Sequence, residues 1–327
     1  MNEDIILEIC KRYNLGNKHE TPIPVTGGLI HKTWKLRTDK GQYAIKELNE
    51  KIMSQPDTLE AFELSEVMAT KFLHAKVPAI VSLSSNGTHV QHISNSYVLV
   101  YKWVEGITLS TEAANVKQAY TIGEIIGKIH SVHISEPSVQ VGLPQIFTNF
   151  HWEELILKIK AILPEYANSF ESVLNWNSNS SKIINVLKNN LIVTHGDIDQ
   201  KNVIWTDETT PNIIDWEGVS VTNPGLEIID AALNWSGLLS GTVNIDSMKA
   251  VIDGYIDTGG KIYESIDILL SACIIKWLPW LEFNMRRAVQ PLQDDEVLKL
   301  SITQVKNTLS SIELIANNKE AWIDSLS

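Results

Sequence analysis

Three oxygen-bearing side chains lie close together in the sequence between Thr194 and Glu217. Asp197 is followed by Asn202 five residues later and by Asp215 after thirteen more. The apolar runs VIW and NIID flank the polar stretch TDETTP, which predicts a loop, a strand, a turn and a second strand. Folding of this hairpin would place a carboxylate that can accept a hydroxyl proton beside two oxygen ligands for Mg²⁺. Phosphoryl transfer requires these groups.

Two weaker signals precede the hairpin. Thr26, Gly27 and Gly28 lie in the segment VTGGLIH, between two predicted strands. Adjacent glycines let backbone N–H groups approach phosphates, although two glycines in a hairpin also form a simple turn. Lys46 lies in the strand YAIKEL between apolar residues, where it either extends to solvent or binds the α- and β-phosphates of a nucleotide.

A phosphate-binding lysine needs a carboxylate to fix its ammonium group. The period of the segment from Asp57 to Ala75 predicts a helix, on which Glu66 is the preferred partner and Glu63, one turn earlier, is the alternative. The apolar stripe predicted for this helix is Leu59, Phe62, Val67, Phe72 and Leu73. The order of glycines, lysine, acidic helix and hairpin favours a phosphate site.

Other polar residues of the chain have structural interpretations. His195, two residues before Asp197, is predicted to brace the loop through hydrogen bonds rather than to act as a base. His130, on an isoleucine-rich helix, is predicted to be a packed core histidine. Lys201 either neutralises the transferred phosphate or is solvated, and the sequence leaves both possibilities open.

The elements that must position these residues predict an α+β fold with two lobes. An N-terminal lobe, residues 1–102, contains strand-like runs that include HKTWKLRT, GQYAIKEL, AIVSL, THVQHI and SYVLVYKWV, with Asp39-Lys40-Gly41 as the turn between the first two. A C-terminal lobe, residues 103–327, is mainly helical. Its first helix places Ile122, Ile125, Ile126 and Ile129 on one face. Further helices are predicted at 151–163, 180–190, 228–239, 245–258, 264–289 and 293–318.

Composition excludes several classes of function. The chain has 327 residues, of which 44% are hydrophobic, and a net charge of −12 with no basic block, so a nucleic-acid binder is not expected. No apolar run has the length of a membrane span, and the acidic start MNEDIILEIC does not resemble a secretory signal. The two cysteines form neither a disulfide framework nor a zinc site. We therefore expect a cytoplasmic protein with no membrane or nucleic-acid partner.

The chain resembles the aminoglycoside phosphotransferase and choline kinase family, small-molecule kinases with a protein-kinase-like fold. The segments that carry the resemblance occur in order along most of the chain: TGG, AIK, the helix with Glu66, YKWVEG, IGKIHS, HGDIDQKN and IIDWE. The last two segments are specific, whereas the N-terminal ones are not. The resemblance implies a small antiparallel-sheet N-lobe and a larger helical C-lobe.

The resemblance also implies roles for individual residues. Asp197 would be the catalytic base or would orient the acceptor hydroxyl, and Asn202 and Asp215 would hold Mg²⁺. The nucleotide, ATP or GTP, would be bound by the glycine loop and Lys46 with Glu66, and by the backbone of the hinge. The implied nucleotide-binding residues are Thr26, Gly27, Gly28, Lys46, Glu66, Tyr101, Trp103 and Val104.

The chain departs from the family at several positions. Asp199 stands where many relatives have a histidine, and His31 follows the glycine loop where an asparagine is common. Asn223 stands before Pro224 in place of an aspartate, and either Glu227 or Asp230 fills the later acidic position. These changes leave the phosphotransfer residues intact and weaken the transfer of substrate contacts.

The acceptor stays open. Only eight residues separate Asp215 from Pro224, too few for the activation loop of a protein kinase, so a small hydroxyl-bearing molecule is the expected acceptor. Candidates are an aminoglycoside, choline or ethanolamine, a macrolide, or homoserine. Aromatic and acidic residues after position 218 could hold an ammonium group or could simply be core residues: Trp235, Trp277, Trp280 and Glu282. A nucleotide-binding scaffold without catalysis is the alternative of another class, and the oligomeric state is not predicted.

Overall fold

The computed structural model describes residues 1–25, 30–134, 136–143, 152–290 and 294–326. The chain forms two compact units. The first unit consists of Met1–Thr108 and Lys201–Val219, and the second consists of Leu109–Gln200 and Ser220–Ser327. The lobe boundary after residue 102 stays a prediction.

Strands dominate the first hundred residues, and helices dominate the rest. The elements up to residue 108 are α1 Glu3–Arg12, β1 Ile23–Val25, β2 Lys32–Thr38, β3 Gly41–Leu48, α2 Glu50–Met53, α3 Thr58–His74, β4 Gln91–Ile93 and β5 Ser96–Lys102. The later elements are α4 Val116–Ser131, α5 Trp152–Lys160, α6 Ala167–Leu187, β6 Ile192–Thr194, β7 Val203–Asp207, β8 Thr210–Ile213, β9 Ser220–Thr222, α7 Pro224–Trp235, α8 Ile245–Asp257, α9 Ile266–Val289 and α10 Asp295–Leu326.

The first unit is built on an antiparallel sheet with the strand order β1-β2-β3-β5-β4. Thr38 pairs with Gly41, so that β2 and β3 are joined by the tight turn that the sequence predicts. Alternation along β3 directs Ile45 into a core cluster that includes α1, whereas Leu48 belongs to a second cluster with Phe62 of α3. Lys46 shares the face of Leu48, which places it on the side of the sheet that α3 covers.

Two predictions for the first unit are wrong in detail. Phe62 and Phe72 of α3 are buried as predicted, but Val67 is exposed because it lies five residues, about 140° around the helix, from Phe62. Leu59 and Leu73, near the helix ends, are also exposed. The run AIVSL is not a strand; it makes only isolated bridges to Ile213 and Tyr101.

The predicted hairpin is present in the first unit. β7 and β8 pair in antiparallel fashion, from Val203 opposite Ile213 to Asp207 opposite Thr210. The Asp207 carboxylate accepts hydrogen bonds from the backbone N–H of Thr209 (2.8 Å) and from the Thr210 hydroxyl (2.8 Å). This local capping explains why the polar stretch TDETTP turns where it does.

The second unit is centred on a close pair of helices, α4 and α8. The four isoleucines predicted to share one face of α4 are all buried. Glycines allow the two backbones to approach: a Cβ on Gly123 would lie 2.0 Å from the Val251 carbonyl oxygen, and a Cβ on Gly254 would lie 2.1 Å from the Tyr120 carbonyl oxygen. This contact fixes the position of the α8 residues near the candidate site.

The predicted helices of the second unit are present, with shifted ends. α6 begins at Ala167, earlier than the predicted 180: its first half buries Phe170 and Val173, and the Asn- and Ser-rich stretch that follows interrupts the apolar period. α7 begins at Pro224 behind the N-cap Asn223, and α10 extends to Leu326. The architecture is α+β, as predicted. Among the described residues, no helix is both long and apolar enough to cross a membrane.

Candidate active site

In the first unit, Lys46 lies between two carboxylates at the end of the hairpin. Its Nζ is 2.7 Å from Asp215 Oδ1 and also donates to Glu217 Oε1. The Lys46 side chain is only 16% exposed. Burial alone would lower the pKa of Lys46, but the charges of Glu217 and Asp215 raise it above its ordinary value. Lys46 is therefore a fixed positive charge at this site.

The two predicted metal ligands lie at the same end of the hairpin. The backbone N–H of Ile214, the neighbour of Asp215, donates to the carbonyl of Asn202 (2.9 Å). Asp215 has a left-handed backbone with φ of 64°, which is uncommon outside glycine and tolerated best by Asx residues. Asn202 is buried, whereas the Asp215 side chain is 34% exposed. A conformation of this kind outside glycine is typical of functional sites.

Trp216 anchors the segment that carries Asp215 and Glu217. Its ring stacks on Phe72 of α3, with ring centroids 5.0 Å apart, and its Nε1 donates to the Ile213 carbonyl (3.3 Å). Trp216 is 2% exposed. A large buried ring between the two acidic residues holds both of them in place, and the motif IIDWE thus has a packing reason for its tryptophan.

The predicted pairing of Lys46 with Glu66 or Glu63 is not found. Glu66 is buried and accepts hydrogen bonds from the Ser82 N–H (2.8 Å) and the Tyr101 hydroxyl (2.5 Å). Glu63 accepts from the backbone N–H groups of His89 (2.6 Å) and Val90 (2.8 Å). Both carboxylates are thus occupied by other donors of the first unit, and Lys46 pairs instead with the carboxylates of Asp215 and Glu217.

The predicted nucleotide contacts have mixed outcomes. Tyr101 uses its hydroxyl on Glu66, and burial together with that carboxylate raises the pKa of Tyr101 well above its ordinary value. The backbone N–H of Trp103 donates to the Gln42 carbonyl (3.0 Å), and Val104 is half-buried beyond the end of β5. Thr26, Gly27 and Gly28 lie outside the described residues. A hinge role for residues 101–104 stays a prediction.

His31 is a member of the first-unit site that the sequence did not assign. It is 8% exposed, its Nδ1 accepts from the Asn49 N–H (2.9 Å), and its Nε2 lies 3.4 Å from Glu217 Oε2. Glu217 therefore contacts both Lys46 and His31. The sequence offered one signal for these contacts, the acidic residue Glu217 at the end of IIDWE, which lies two positions after Asp215.

In the second unit, the loop that carries Asp197 is held by its neighbours. The Asp197 N–H donates to His195 Nδ1 (3.3 Å), and His195 is completely buried. His195 thus braces the loop, as the sequence predicts. Gly196 has φ of 85°, a left-handed conformation that glycine adopts without strain. The turn it makes sets the direction of the Asp197 backbone.

A buried chain of hydrogen bonds through Glu227, His130 and Tyr255 supports Gly196. Glu227 of α7 accepts from the Gly196 N–H (2.5 Å) and from His130 Nε2 (2.5 Å), and His130 Nδ1 lies 3.0 Å from the Tyr255 hydroxyl. Burial alone would raise the pKa of Glu227, but the hydrogen bond and charge of His130 and the Gly196 N–H lower it below its ordinary value. His130 is a core histidine, as predicted, and it also supports the loop.

Two further residues of the second unit lie at the loop. Lys276 of α9 donates to Asp230 Oδ2 (2.7 Å) and to the Gly196 carbonyl (3.2 Å). Sequence reasoning gave Lys276 no role. The signal that could have found it is a single lysine within the apolar run ILLSACIIKWLPW, because a lysine among apolar residues of a helix usually has a polar partner.

The aromatic residues proposed as acceptor contacts have varied surroundings. Trp235 is completely buried, and its Nε1 donates to the Ile198 carbonyl (2.9 Å), so it supports the loop that carries Asp197 as a core residue. Trp280 stacks on Phe283, with ring centroids 5.6 Å apart. Glu282 pairs with Arg286 one turn later on α9.

The chemistry of the donor set suits Mg²⁺ better than a transition metal. Among the described residues, no group of three or more His, Cys, Asp or Glu side chains is arranged to hold a metal ion. Mg²⁺ needs no such cluster, because it binds through one or two protein oxygens together with substrate phosphates and water. The oxygens of Asn202 and Asp215 fit that requirement.

A known protein family matches most of the chain. Residues 21–255 match the family model described as the phosphotransferase enzyme family. This span includes Lys46, the Asp197 loop, the hairpin and Glu227. No curated protein matches the chain significantly.

Solved structures share the fold at low sequence identity. A spectinomycin phosphotransferase in complex with ADP and spectinomycin is 13% identical, has a TM-score of 0.70 and is matched over 96% of this chain and 98% of that one. An amicoumacin kinase in complex with AMP-PNP, Ca²⁺ and Ami is 12% identical, with a TM-score of 0.64 and coverage of 94% of this chain and 93% of that one. The choline kinase of Cryptosporidium parvum is 10% identical, with a TM-score of 0.60 and coverage of 98% of both chains. The predicted two-lobed, protein-kinase-like fold class is thereby confirmed.

Proposed function

Because the chain belongs to the phosphotransferase enzyme family, we propose that it transfers the γ-phosphate of ATP or GTP to a hydroxyl group of a small molecule, with Mg²⁺ as the metal. The observation that carries the proposal is the arrangement at the hairpin end. Asn202 and Asp215 are joined through the Ile214–Asn202 backbone hydrogen bond, and Lys46 Nζ lies 2.7 Å from the Asp215 carboxylate. A fixed cation beside two oxygen ligands is the arrangement that phosphate binding and metal binding require.

Each residue has a distinct task in the proposed reaction. Lys46 has three N–H donors, of which Asp215 and Glu217 use two, so its ammonium can also bind an anionic phosphate oxygen. Asn202 and Asp215 would hold Mg²⁺, which supplies charge neutralisation on the phosphates when it is bound. Asp197 would accept the proton of the acceptor hydroxyl or orient it.

Solved relatives support a nucleotide and a small acceptor. The spectinomycin phosphotransferase was solved with ADP, and the amicoumacin kinase with AMP-PNP. We propose an aminoglycoside-type antibiotic as the acceptor, with choline, ethanolamine, homoserine or a macrolide as alternatives. An acidic surface, with a net charge of −12, would attract a cationic acceptor by long-range electrostatics. The cytoplasmic location stays a prediction.

An acceptor screen tests this function. Purified protein is incubated with Mg²⁺ and either ATP or GTP, and ADP or GDP release is measured with spectinomycin, other aminoglycosides, a macrolide, choline, ethanolamine and homoserine. We expect release that depends on one class of acceptor. A protein that is stabilised by ADP against heat but releases no ADP with any acceptor would instead be the non-catalytic scaffold.

A further inference from the structure

Lys276 is an unusual residue in its surroundings. It lies in the middle of α9, where Leu269, Ala272, Cys273 and Leu278 are all buried. Its ammonium donates to Asp230 Oδ2 (2.7 Å), and the Asp230 side chain is only 12% exposed. The Lys276 side chain is itself 37% exposed, so its ammonium keeps part of its hydration, and the reason for a lysine at this position has to lie in the contacts that the ammonium makes.

The second hydrogen bond of Lys276 provides that reason. Its Nζ donates to the carbonyl of Gly196 (3.2 Å), while the N–H of the same peptide group belongs to Asp197 and donates to His195 Nδ1 (3.3 Å). Both polar groups of the peptide immediately before Asp197 are therefore held. Because a peptide is planar, fixing its two polar groups fixes the direction of the N–Cα bond of Asp197 and so narrows the positions that its side chain can take.

Charge adds to this geometric role. Residues 195–199 of the loop, HGDID, contain two carboxylates and neither lysine nor arginine. Lys276 brings a positive charge to this segment from α9, and the charges of Asp230 and Asp197 in turn raise the pKa of Lys276 above its ordinary value, although burial alone would lower it. Its ammonium is thus charged at every pH at which an assay would be run.

We propose that Lys276 is a positioning residue for the transfer reaction, which fixes the Gly196–Asp197 peptide through the Gly196 carbonyl and holds a positive charge beside Asp197. The inference rests on the proposed function, because it assumes that Asp197 meets the acceptor hydroxyl. Lys276 acts through Asp197, and Asp230 serves as the counter-ion that holds the ammonium in place.

The test separates positioning from simple charge pairing. Lys276→Met alone leaves the buried Asp230 without its cation and can destabilise the fold, so the double variant Lys276→Met/Asp230→Asn removes both charges together. Lys276→Arg keeps the charge, and Lys249→Met replaces an exposed lysine of α8 as the matched control. Activity is measured with the acceptor that the wild type phosphorylates fastest, and binding with ADP.

We expect the double variant to melt close to the wild type and to bind ADP equally well, while kcat falls on the order of 10²-fold with little change in KM for ATP. Lys276→Arg should recover part of that loss, and Lys249→Met should match the wild type. A double variant with wild-type kcat would overturn the inference, because Lys276 would then serve only to neutralise Asp230.

A second readout keeps the inference testable if no acceptor is turned over. Amide hydrogen exchange of the peptide that spans residues 192–200 reports on the loop directly. We expect faster exchange in the double variant than in the wild type and in Lys249→Met. Unchanged exchange contradicts the positioning role, whereas absent turnover with changed exchange contradicts only the proposed function.

Discussion

At the scale of single residues, Lys46 is the residue that joins the two carboxylates of the candidate site in the first unit, those of Asp215 and Glu217. Its side chain is 16% exposed and its ammonium contacts two carboxylates, so the ammonium is held in one place before any ligand binds. An ammonium fixed in this way loses little freedom when a phosphate approaches. The same contacts explain why a lysine lies at this position of β3, next to the buried Ile45.

Replacing Lys46 by methionine should weaken nucleotide binding. The charge-assisted hydrogen bond to a phosphate is worth about 1.5–3 kcal/mol, so we expect the Kd for ADP to rise by roughly 10-fold or more. Calorimetry measures this, with Lys32→Met as the control, because Lys32 is an exposed lysine of the neighbouring strand β2. Equal ADP affinity in wild type and Lys46→Met would remove Lys46 from the phosphate site.

At the scale of elements, helix α7 supports the loop that carries Asp197 through two acidic residues and a tryptophan. Glu227 receives the Gly196 N–H, Asp230 holds Lys276, and Trp235 donates to the Ile198 carbonyl. Glu227 and Trp235 of α7 thus contact the Asp197 loop directly, and Asp230 acts on it through Lys276. Changes to the N-cap residue Asn223 or to the charge of Glu227 should therefore affect both the stability of the protein and its activity.

The charge of Glu227 should make stability depend on pH. Its folded-state pKa is lowered, so its stabilising contribution is present above its ordinary value of 4.5 and is lost as the pH falls through the lower folded-state value. We expect Glu227→Gln to lower Tm at pH 7 by more than it does at pH 4. Differential scanning fluorimetry measures both, with the exposed Asp253→Asn of α8 as the control. An equal loss of Tm at the two pH values would contradict the lowered pKa of Glu227 in the folded protein.

Asn223, the N-cap of α7, should not tolerate replacement by aspartate. Its Oδ1 accepts from the Leu226 N–H (3.1 Å), while its Nδ2 donates to the Leu187 and Asn190 carbonyls and to Glu264 Oε1 (2.7 Å). Aspartate keeps the cap but has no donor, and it would face the Glu264 carboxylate.

We therefore expect Asn223→Asp to lower Tm by several degrees. Asn244→Asp is the matched control, since Asn244 caps α8 from an exposed position where aspartate caps equally well. A Tm for Asn223→Asp equal to that of Asn244→Asp would show that the contact with Glu264 has no energetic weight.

Local patterns in the sequence predicted the elements better than the contacts between them. The β7–β8 hairpin, the Asp39-Lys40 turn and the isoleucine face of α4 follow from turn residues and periodicity, which act over a few positions. The partner of Lys46 could not be predicted, because Glu66 is occupied by Ser82 and Tyr101, which lie 16 and 35 residues away. The contact of Lys276 with Gly196 spans 80 residues and had only a weak signal in the sequence.

At the scale of the whole molecule, the family match spans both compact units. Residues 21–255 include the fixed lysine and the hairpin of the first unit and the Asp197 loop with its α7 support in the second. The solved structures that share the fold act on spectinomycin, amicoumacin and choline by their names, and these molecules differ in size and charge. The same fold thus occurs with different acceptors, and the acceptor of this chain stays part of the proposal.

Direct transfer of phosphate tests the central claim. Wild type and Asp197→Asn are incubated with Mg²⁺, the acceptor panel and ATP labelled on its γ-phosphate, and the label on the acceptor is measured. We predict labelled acceptor with the wild type and a rate on the order of 10²–10⁴-fold lower with Asp197→Asn, while ADP stabilises both proteins equally. Equal labelling by the two proteins, or a wild type that binds ATP and labels no hydroxyl acceptor, would contradict the account.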